Sequence, residues 1–466
     1  MKFSDFKDFD SKGLNISHMQ SQYDLLALHQ ANPKRYPFLL ESVAQPDNND
    51  EQTSSRFDIL FAFPQQTLSL SADNKLEGID NIQGNDFLDN LSRWWQSAHF
   101  NNTFCETLPF HGGWFIYLAY ELAQQIEPQL KLKLSTTDNA YATRIPAAII
   151  YDHQTSSTYC LSEEGFDYIT LLENDCSQHK VQAETVENKI PSKLYSQIVE
   201  ENESQYLNAI TKIKKYIFDG DVFQVNLSRL WQANKVKEAA ATIYRKLRES
   251  NPAPFAGIAT HKNFSVMSSS PERLIKISNG IAETRPIAGT RRREQNQSED
   301  NALKEELIKH PKERAEHIML IDLERNDLGR ICKPGSIEVD EMMALESYAH
   351  VHHIVSNVKG ELKENILPGD AIKAVFPGGT ITGCPKVRCM EIIAELETEP
   401  RGAYTGSMGY LNHNGDMDIN ILIRTMTVEG DTLRFRAGAG LVVDSVSESE
   451  LEETRHKARG LLLALK

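Results

Sequence analysis

The stretch FPGGTITGCPK, residues 376–386, brings three glycines and two prolines together and strongly restricts the backbone around it. Glycines in such a cluster mark backbone that turns tightly or comes close to a ligand, and exposed N–H groups at such turns bind carboxylates. A second cluster, AGAG, covers residues 437–440. Neither is a nucleotide fingerprint, because Lys386 follows Pro385 and AGAG does not continue as GxGxxG. Ordinary turns are the alternative interpretation of both clusters.

Helical and extended patterns surround these glycines. Residues 204–220 repeat apolar side chains at helical spacing, and residues 222–230 alternate as a strand. Residues 417–428 and 432–443 are predicted to form a hairpin around Gly430. Because helices and strands mix without a regular βαβ rhythm, the pattern favours an α+β fold over a doubly wound sheet.

The chain divides into two predicted regions. Residues 1–190 carry short aromatic-rich strands such as FDILFAF at residues 57–63, and residues 203–466 carry the sharper patterns. Residues 184–196 turn polar and are predicted to be a linker. A chain of 466 residues has room for two or three domains at roughly 100–200 residues each.

The overall charge restricts the class of partner. Lys and Arg total 50 against 65 Asp and Glu, which gives a formal net charge of −15. This balance argues against a nucleic-acid or anionic-membrane binder, although a locally positive site for a small anion remains possible. Six cysteines without a CxxC pair suit a reducing compartment, and the N-terminal residues lack an apolar leader, so we expect a cytoplasmic protein.

Two predicted helices carry carboxylates three residues apart. Glu450 and Glu453 share a face with Lys457 in the C-terminal eighteen residues, and Glu313 and Glu316 repeat this spacing upstream. Mg²⁺ binds a few carboxylates together with water and substrate oxygens, so these pairs are candidate ligands. A solvated charged flank is the alternative interpretation of each pair.

Three further positions are candidate site residues. Arg424 lies within the apolar run INILIRT, where we expect it mid-strand and paired either with a ligand carboxylate or with a structural acid. One of His352 and His353 is expected to be a core histidine. Glu272 is a candidate general acid on the condition that burial keeps it protonated.

A series of ordered motifs over about residues 204–466 resembles the chorismate-utilising enzymes. The motifs are FQVNLS, SSSPER, ETRPIAGT, KERAEH, DLERNDLGR, VHHIVS, FPGGTITGCPKVRCMEII, RGAYTGSMGYL, DINILIRT and AGAGLVVDS. The resemblance implies two packed α/β halves with antiparallel sheets inside and helices outside. It also implies an Mg²⁺-dependent site for chorismate between the two halves.

The resemblance assigns roles to individual residues. It implies that Glu316 and Glu453 ligate Mg²⁺ with Glu313 and Glu450 nearby. Glu272 resembles the general acid that protonates the departing C4 hydroxyl. The remaining implied site residues hold the substrate carboxylates or lie beside the ring, and they are Tyr404, Arg424, Lys457, the backbone of Gly438 and Gly440, Thr290 and His353.

The choice of nucleophile depends on Gln224. Family members that add water are expected to carry a Lys there, and a Gln cannot act as a base, so the resemblance implies that ammonia is the nucleophile. Asn226, the FPGGTITG spelling, SRFDI (residues 55–59) and LPFHGG (residues 108–113) resemble the aminodeoxychorismate synthases. These enzymes make 4-amino-4-deoxychorismate for p-aminobenzoate and folate.

Ala288 departs from that type. Many aminodeoxychorismate synthases have a Lys at this position, which is thought to attack the ring covalently, whereas PIAGT is the anthranilate synthase spelling. Direct attack by ammonia is therefore expected here. Formation of anthranilate and pyruvate for tryptophan synthesis is the alternative, and a non-catalytic chorismate or tryptophan sensor is a minor one.

Two partners follow from the resemblance. The sequence contains neither GxCxG nor GxSxG, so ammonia is expected from a separate glutamine amidotransferase. Residues 39–42 (LLES) resemble a tryptophan pocket built around Leu40, Glu41 and Ser42. That pocket would hold tryptophan as a regulator or as a structural ligand, and an apolar strand with a polar end is the alternative.

Overall fold

The computed structural model describes residues 11–44, 56–98, 104–105, 107–179, 197–294, 296–348 and 351–466. The predicted linker at 184–196 and the first residue of SRFDI lie outside these ranges. The strands, in chain order, are β1 (Ser11–Lys12), β2 (Leu14–Met19), β3 (Phe38–Glu41), β4 (Phe57–Ala62), β5 (Thr67–Leu70), β6 (Leu76–Glu77), β7 (Phe104–Cys105), β8 (Gly113–Leu118), β9 (Ala140–Ile145), β10 (Ala147–Asp152), β11 (Ser157–Glu163), β12 (Ile198–Glu200), β13 (Gln224–Ala233), β14 (Phe255–His261), β15 (Phe264–Ser270), β16 (Arg273–Ser278), β17 (Ile281–Thr284), β18 (Ile287–Arg292), β19 (Glu338–Ser347), β20 (Val351–Glu361), β21 (Gly383–Cys384), β22 (Ser407–Asn412), β23 (Met417–Asn420), β24 (Thr425–Glu429) and β25 (Thr432–Leu441).

Most of these strands form two antiparallel sheets. The first sheet runs β12-β13-β25-β24-β15-β14-β3-β4-β10-β11-β2, with β21 paired to β13. The second runs β18-β20-β17-β16-β23-β22-β8-β9-β5-β6, with β19 paired to β20. Each sheet therefore combines strands from both predicted regions, and the division into residues 1–190 and 203–466 stays a prediction.

Helices cover the sheets. Their bounds are α1 (Leu25–Ala31), α2 (Phe87–Ser97), α3 (Ala123–Ile126), α4 (Ile169–Gln178), α5 (Glu203–Phe218), α6 (Ala240–Ser250), α7 (Gln297–Lys309), α8 (Pro311–Gly329), α9 (Pro368–Val375), α10 (Lys386–Leu396) and α11 (Ser447–Ala464). Within the described ranges, no helix combines the length and the apolar composition that crossing a bilayer requires.

Side-chain alternation explains the layers. In β3, Phe38 faces the second sheet and stacks on Phe115 of β8 with ring centroids 4.0 Å apart, whereas Leu39 packs on the opposite face beside α1 and α6. The outer face of the second sheet packs on α2, α8 and α9 in the same way. The sheets thus lie inside and the helices outside, which confirms the predicted arrangement.

Local predictions succeed except at one strand. The helical patterns correspond to α5, α8 and α11, and the turn at Gly430 joins β24 to β25. The expected strand over 417–428 is interrupted, because β23 ends at Asn420 and β24 begins at Thr425. Arg424 therefore lies in the break, with a left-handed φ of 52°, and its predicted mid-strand position is wrong.

Replacing Phe115 with Ala tests the layer between the sheets. Phe115 is fully buried, so Phe115→Ala is expected to lower the free energy of unfolding by about 3–5 kcal/mol through lost contacts and a cavity. Urea denaturation measures this change. Leu134→Ala is the control, because Leu134 is 75% exposed and its truncation should change stability by less than about 0.5 kcal/mol. Equal effects of the two changes would contradict the layered arrangement.

Candidate active site

The glycine-rich loop at residues 376–383 lets backbone approach backbone. A Cβ on Gly378 would lie 2.7 Å from Ile421 Cδ1, and Gly383 has a φ of 129° directly against the carbonyl of Gln224. Larger residues are therefore excluded at both positions. The loop consequently delivers β21 to the end of β13, where Cys384 pairs with Gln224.

The second glycine cluster opens a cleft along β25. A Cβ on Gly438 would lie 2.6 Å from both Asn226 Oδ1 and the Tyr404 hydroxyl. A Cβ on Gly440 would lie 2.5 Å from Gln224 Nε2. The antiparallel pairing of β13 with β25 places Asn226 opposite Gly440. Three of the predicted site residues, Gln224, Asn226 and Tyr404, thus converge beside the bare backbone of Gly438 and Gly440.

The two acidic helix pairs face the same space. Glu316 of α8 accepts a hydrogen bond from Gln224 Nε2 at 2.8 Å, and burial raises its pKa, with repulsion from Glu313 adding to the effect. Burial likewise raises the pKa of Glu450 in α11, and Glu453 adds to it. Lys457 lowers the pKa of both Glu316 and Glu450, which shows that α8 and α11 share an electrostatic environment.

These carboxylates fit a divalent cation of the Mg²⁺ kind. Among the described residues, no group of three or more His, Cys, Asp or Glu side chains could hold a metal by itself. Mg²⁺ commonly takes one or two carboxylates and completes its shell with water and substrate oxygens. Burial and, to a smaller extent, repulsion between carboxylates raise the pKa values of Glu316 and Glu450, and a bound cation would favour their charged forms. In the structure, Glu313 pairs with Arg291 at 3.1 Å and Glu453 pairs with Lys457 at 2.8 Å.

Glu272 meets the condition set for a general acid. Its side chain is only 5% exposed, and its Oε1 atom has no hydrogen-bond partner among the described residues. Burial raises the pKa of Glu272 to about 7. The backbone N–H of Ile421 donates to its carbonyl at 3.0 Å and fixes the residue just before β16. A carboxyl held in this way is still partly protonated at neutral pH, as a general acid requires.

Arg424 is a half-buried cation without an acidic partner among the described residues. Its guanidinium donates to the carbonyl of Lys457 at 3.1 Å, and no ion pair with an acid is found for it in the described part of the chain. Arg424 is therefore not held by an ion pair with a structural acid, which was one of the two alternatives that the sequence left open. A guanidinium that lacks a carboxylate partner suits a carboxylate ligand. Burial raises the pKa of the nearby Tyr404 to about 12, which keeps its hydroxyl a donor.

Two neighbouring histidines have different surroundings. His353 Nδ1 lies 2.9 Å from Thr290 Oγ1, and burial lowers the pKa of His353 to about 4, so the ring is neutral. His352 is fully buried between Ser347 and Asp300, each 2.8 Å from a ring nitrogen, and is the expected core histidine.

Ala288 forms part of the wall near these groups. It is buried on β18 and pairs with Ile354 of β20. Its side chain is a methyl group, which cannot act as a nucleophile. The neighbouring Gly289 has a φ of 57°, and a Cβ there would lie 2.9 Å from Glu313 Oε2. The β18 strand thereby packs closely on α8.

The LLES segment borders a separate cavity. Leu40, Glu41 and Ser42 line a space of about 850 Å³ that extends to Arg273. The Glu41 carboxylate accepts from the Tyr244 hydroxyl at 2.6 Å and pairs with an arginine of α6, so it is engaged within the fold. The size of the cavity leaves room for a small ligand.

The sequence did not reveal the support behind the cleft. Arg401 donates to Glu397 at 2.8 Å and to the carbonyl of Asn226 at 2.7 Å, and Ser228 donates to the same carboxylate. This buried ion pair fixes the turn that carries Tyr404. The i,i+4 spacing of Glu397 and Arg401 was its only signal, and such spacing is common on exposed helices.

Comparison with known proteins shows the family of the chain. A family model described as chorismate binding enzyme matches residues 38–463, and the chain belongs to that family. It is 44% identical over 364 residues to an aminodeoxychorismate synthase component 1 of Bacillus subtilis, covering 76% of this chain and 77% of the relative. It is 42% identical over 386 residues to an anthranilate synthase component I-like protein of Synechocystis, covering 81% and 78%.

A solved structure shows the same fold. Anthranilate synthase component I from Streptococcus pneumoniae superposes with a TM-score of 0.75 at 31% identity, covering 90% of this chain and 94% of that chain. The chain is a chorismate-utilising enzyme of the type that includes the aminodeoxychorismate and anthranilate synthases.

Replacing Glu272 with Gln tests the burial of the acid. The pKa of about 7 in the folded protein lies above the value near 4.3 of an exposed Glu, so the folded state loses stability as pH rises from about 4 to 7. Glu272→Gln removes this loss. The variant is therefore compared with the wild type at each pH. The difference between their free energies of unfolding should favour the variant by about 2 kcal/mol more at pH 8 than at pH 5.

Urea denaturation at the two pH values measures the difference. Glu249→Gln, at an exposed position on α6, is the matched control and should change stability equally at both. An equal effect of Glu272→Gln at pH 5 and pH 8 would contradict a raised pKa for this carboxyl.

Proposed function

We propose that this enzyme aminates chorismate with ammonia and forms 4-amino-4-deoxychorismate for p-aminobenzoate and folate synthesis. The observation that carries the proposal is the state of Gln224, which is 4% exposed and fixed by its hydrogen bond to Glu316. An amide at this point offers no base to activate water. Asn226 beside it and the 44% identity to a relative named aminodeoxychorismate synthase component 1 support this product.

The residues of the cleft have complementary tasks. Arg424, Lys457 and the backbone N–H groups near Gly438 and Gly440 hold the substrate carboxylates. Mg²⁺, when bound by Glu316 and Glu453 with Glu313 and Glu450 nearby, supplies charge that draws electrons toward the ring carboxylate. Tyr404 donates a hydrogen bond from its un-ionised hydroxyl. Thr290 and neutral His353 border the ring without adding charge.

Glu272 supplies the proton that makes substitution possible. Hydroxide is a poor leaving group, so the C4–O bond breaks as Glu272 gives its proton to the oxygen, which leaves as water. Ammonia forms the new C–N bond, and the resulting ammonium loses one proton. With Ala288 in place of a Lys, the ring is attacked by ammonia directly. The overall reaction converts chorismate and ammonia into 4-amino-4-deoxychorismate and water.

Anthranilate formation is the second candidate. Ala288 favours it, since PIAGT is the anthranilate synthase spelling, and other relatives carry that name, including one of Aquifex aeolicus at 40% identity. The two reactions share the acid, the carboxylate grip and the nucleophile. They differ in the ring carbon that receives nitrogen and in the subsequent loss of pyruvate.

The proposal also covers the source of the ammonia, a second ligand and the cellular compartment. Ammonia is supplied by a separate glutamine amidotransferase, as the component 1 names of the relatives suggest. Tryptophan occupies the cavity beside Leu40, Glu41 and Ser42. The enzyme works in the cytoplasm, where its six free thiols would stay reduced.

The product of the isolated chain distinguishes the candidates. Incubated with chorismate, Mg²⁺ and ammonium, the protein is expected to yield a compound that becomes p-aminobenzoate only after a pyruvate-releasing lyase is added. Glutamine alone should support no turnover. Chromatography with fluorescence detection identifies both products. Direct release of anthranilate and pyruvate would replace the proposed reaction with the second candidate.

Replacing Arg424 with Lys tests the carboxylate grip. Lys keeps the charge but loses the bidentate geometry, so kcat/KM for chorismate should fall about 100-fold, which corresponds to about 3 kcal/mol. Arg434→Lys is the control, because Arg434 lies on β25 in a partly exposed pair with Glu429, and the variant should keep its activity. Equal kinetics of the two variants would remove Arg424 from the site.

A further inference from the structure

Two side-chain amides of β13 have buried oxygens without hydrogen-bond partners beside the cleft. They are Gln224 Oε1 and Asn226 Oδ1, and neither atom has a partner among the described residues. The Tyr404 hydroxyl approaches the same point over Gly438 as Asn226 Oδ1 does, but it forms no hydrogen bond with that oxygen. Buried polar atoms without partners cost stability, so two of them at a proposed substrate site indicate that a ligand supplies the missing donors.

Hydrogen bonds around these two residues fix the position of the amides. The backbone N–H of Asn226 donates to the Thr382 carbonyl at 2.9 Å, and the Asn226 carbonyl accepts from Arg401 at 2.7 Å. Gln224 Nε2 donates to Glu316 Oε1 at 2.8 Å, so the other end of that amide, its oxygen, is turned away from the carboxylate. Both amide oxygens are therefore acceptors that are held in place before a ligand binds.

The spacing of the two amides fits one small donor. Gln224 and Asn226 are two positions apart on β13, so their side chains share a face and their Cα atoms lie about 6.6 Å apart. Two hydrogen bonds of about 2.9 Å from one nitrogen span up to about 5.8 Å between their acceptors. Side chains that lean toward each other can therefore hold a single nitrogen between them.

Amide oxygens can hold ammonia in its nucleophilic form. An amide oxygen carries only a partial charge, whereas a carboxylate at the same place would favour ammonium, which has no lone pair. Ammonia that gives two of its N–H groups to the amides keeps its lone pair for the ring. The nitrogen becomes positive as the C–N bond forms, so both hydrogen bonds strengthen in the transition state.

We propose that Asn226 is an ammonia-binding residue, which together with Gln224 accepts two N–H groups of the nucleophile and directs its lone pair at the ring. The lone pair forms the C–N bond, and the C4–O bond breaks as Glu272 gives its proton to the oxygen, which leaves as water. The new ammonium then releases one proton to solvent. The inference rests on the proposed function only in taking ammonia as the nucleophile, which both candidate products share.

Asn226→Leu tests the ammonia site, because Leu keeps the size of the side chain but has no oxygen. Initial rates of chorismate consumption, whichever product forms, are measured at one pH while ammonium and chorismate are varied in turn. The kcat/KM for ammonia should fall about 30-fold through loss of a hydrogen bond to a developing charge, while the KM for chorismate changes less than about twofold. Asn234→Leu, at an exposed position just beyond β13, is the matched control and should match the wild type.

Asn226→Asp separates binding of the nucleophile from its reaction. Asp has the shape of Asn and still accepts an N–H group, so the KM for ammonia should stay within about threefold of the wild-type value. The added charge favours ammonium over ammonia, so kcat should fall about tenfold.

Three results would overturn the ammonia site. The first is an unchanged kcat/KM for ammonia in Asn226→Leu, and the second is a loss in that variant that is equal for ammonia and for chorismate. The third is an unchanged kcat in Asn226→Asp, which decides the matter even where the Leu variant folds poorly. A wild-type enzyme that releases anthranilate would overturn the proposed product and leave these comparisons intact.

Discussion

The absence of side chains at Gly438 and Gly440 is the constraint on which the site depends. These residues lie on a strand in the middle of a sheet, where glycine costs stability because it packs poorly and loses more conformational freedom than other residues. The cost is offset by the cleft that the bare backbone leaves beside Gln224, Asn226 and Tyr404. Any larger residue would fill the space where the substrate carboxylates are proposed to bind.

Ionisable side chains with shifted pKa values surround this cleft. Glu272 and Glu316 have raised pKa values through burial, and Arg424 has a lowered one for the same reason. None of these three groups forms an ion pair among the described residues, and placing ionisable groups there without one costs stability. Under the proposed function, these groups become complementary to the ligands when a dianion and a cation bind together. The acidic excess of the chain and its binding of an anion are therefore compatible.

The sequence predicts the positions of the helices well, but it does not predict which distant side chains their residues contact. The spacing in α11 and α8 was sufficient to place Glu453 and Glu316 on helices, since amphipathic periodicity is local. The position of Arg424 was missed because an apolar run predicts a continuous strand, whereas the chain breaks at residues 421–424 so that the guanidinium turns inward. Glu397 was missed because its partner Ser228 lies far away in the chain, and its i,i+4 spacing with Arg401 is common on exposed helices.

The sheet order has a consequence for biosynthesis. In the first sheet, β3 from the N-terminal part pairs with β14, and β13 pairs with β25 from close to the C-terminus. Neither sheet can be completed until nearly the whole chain has left the ribosome, and contacts so distant in sequence form slowly. The helix α11 then adds Glu450, Glu453 and Lys457, which belong to the proposed site. A chain that is released early would therefore have unpaired strand edges and no means of acting on chorismate.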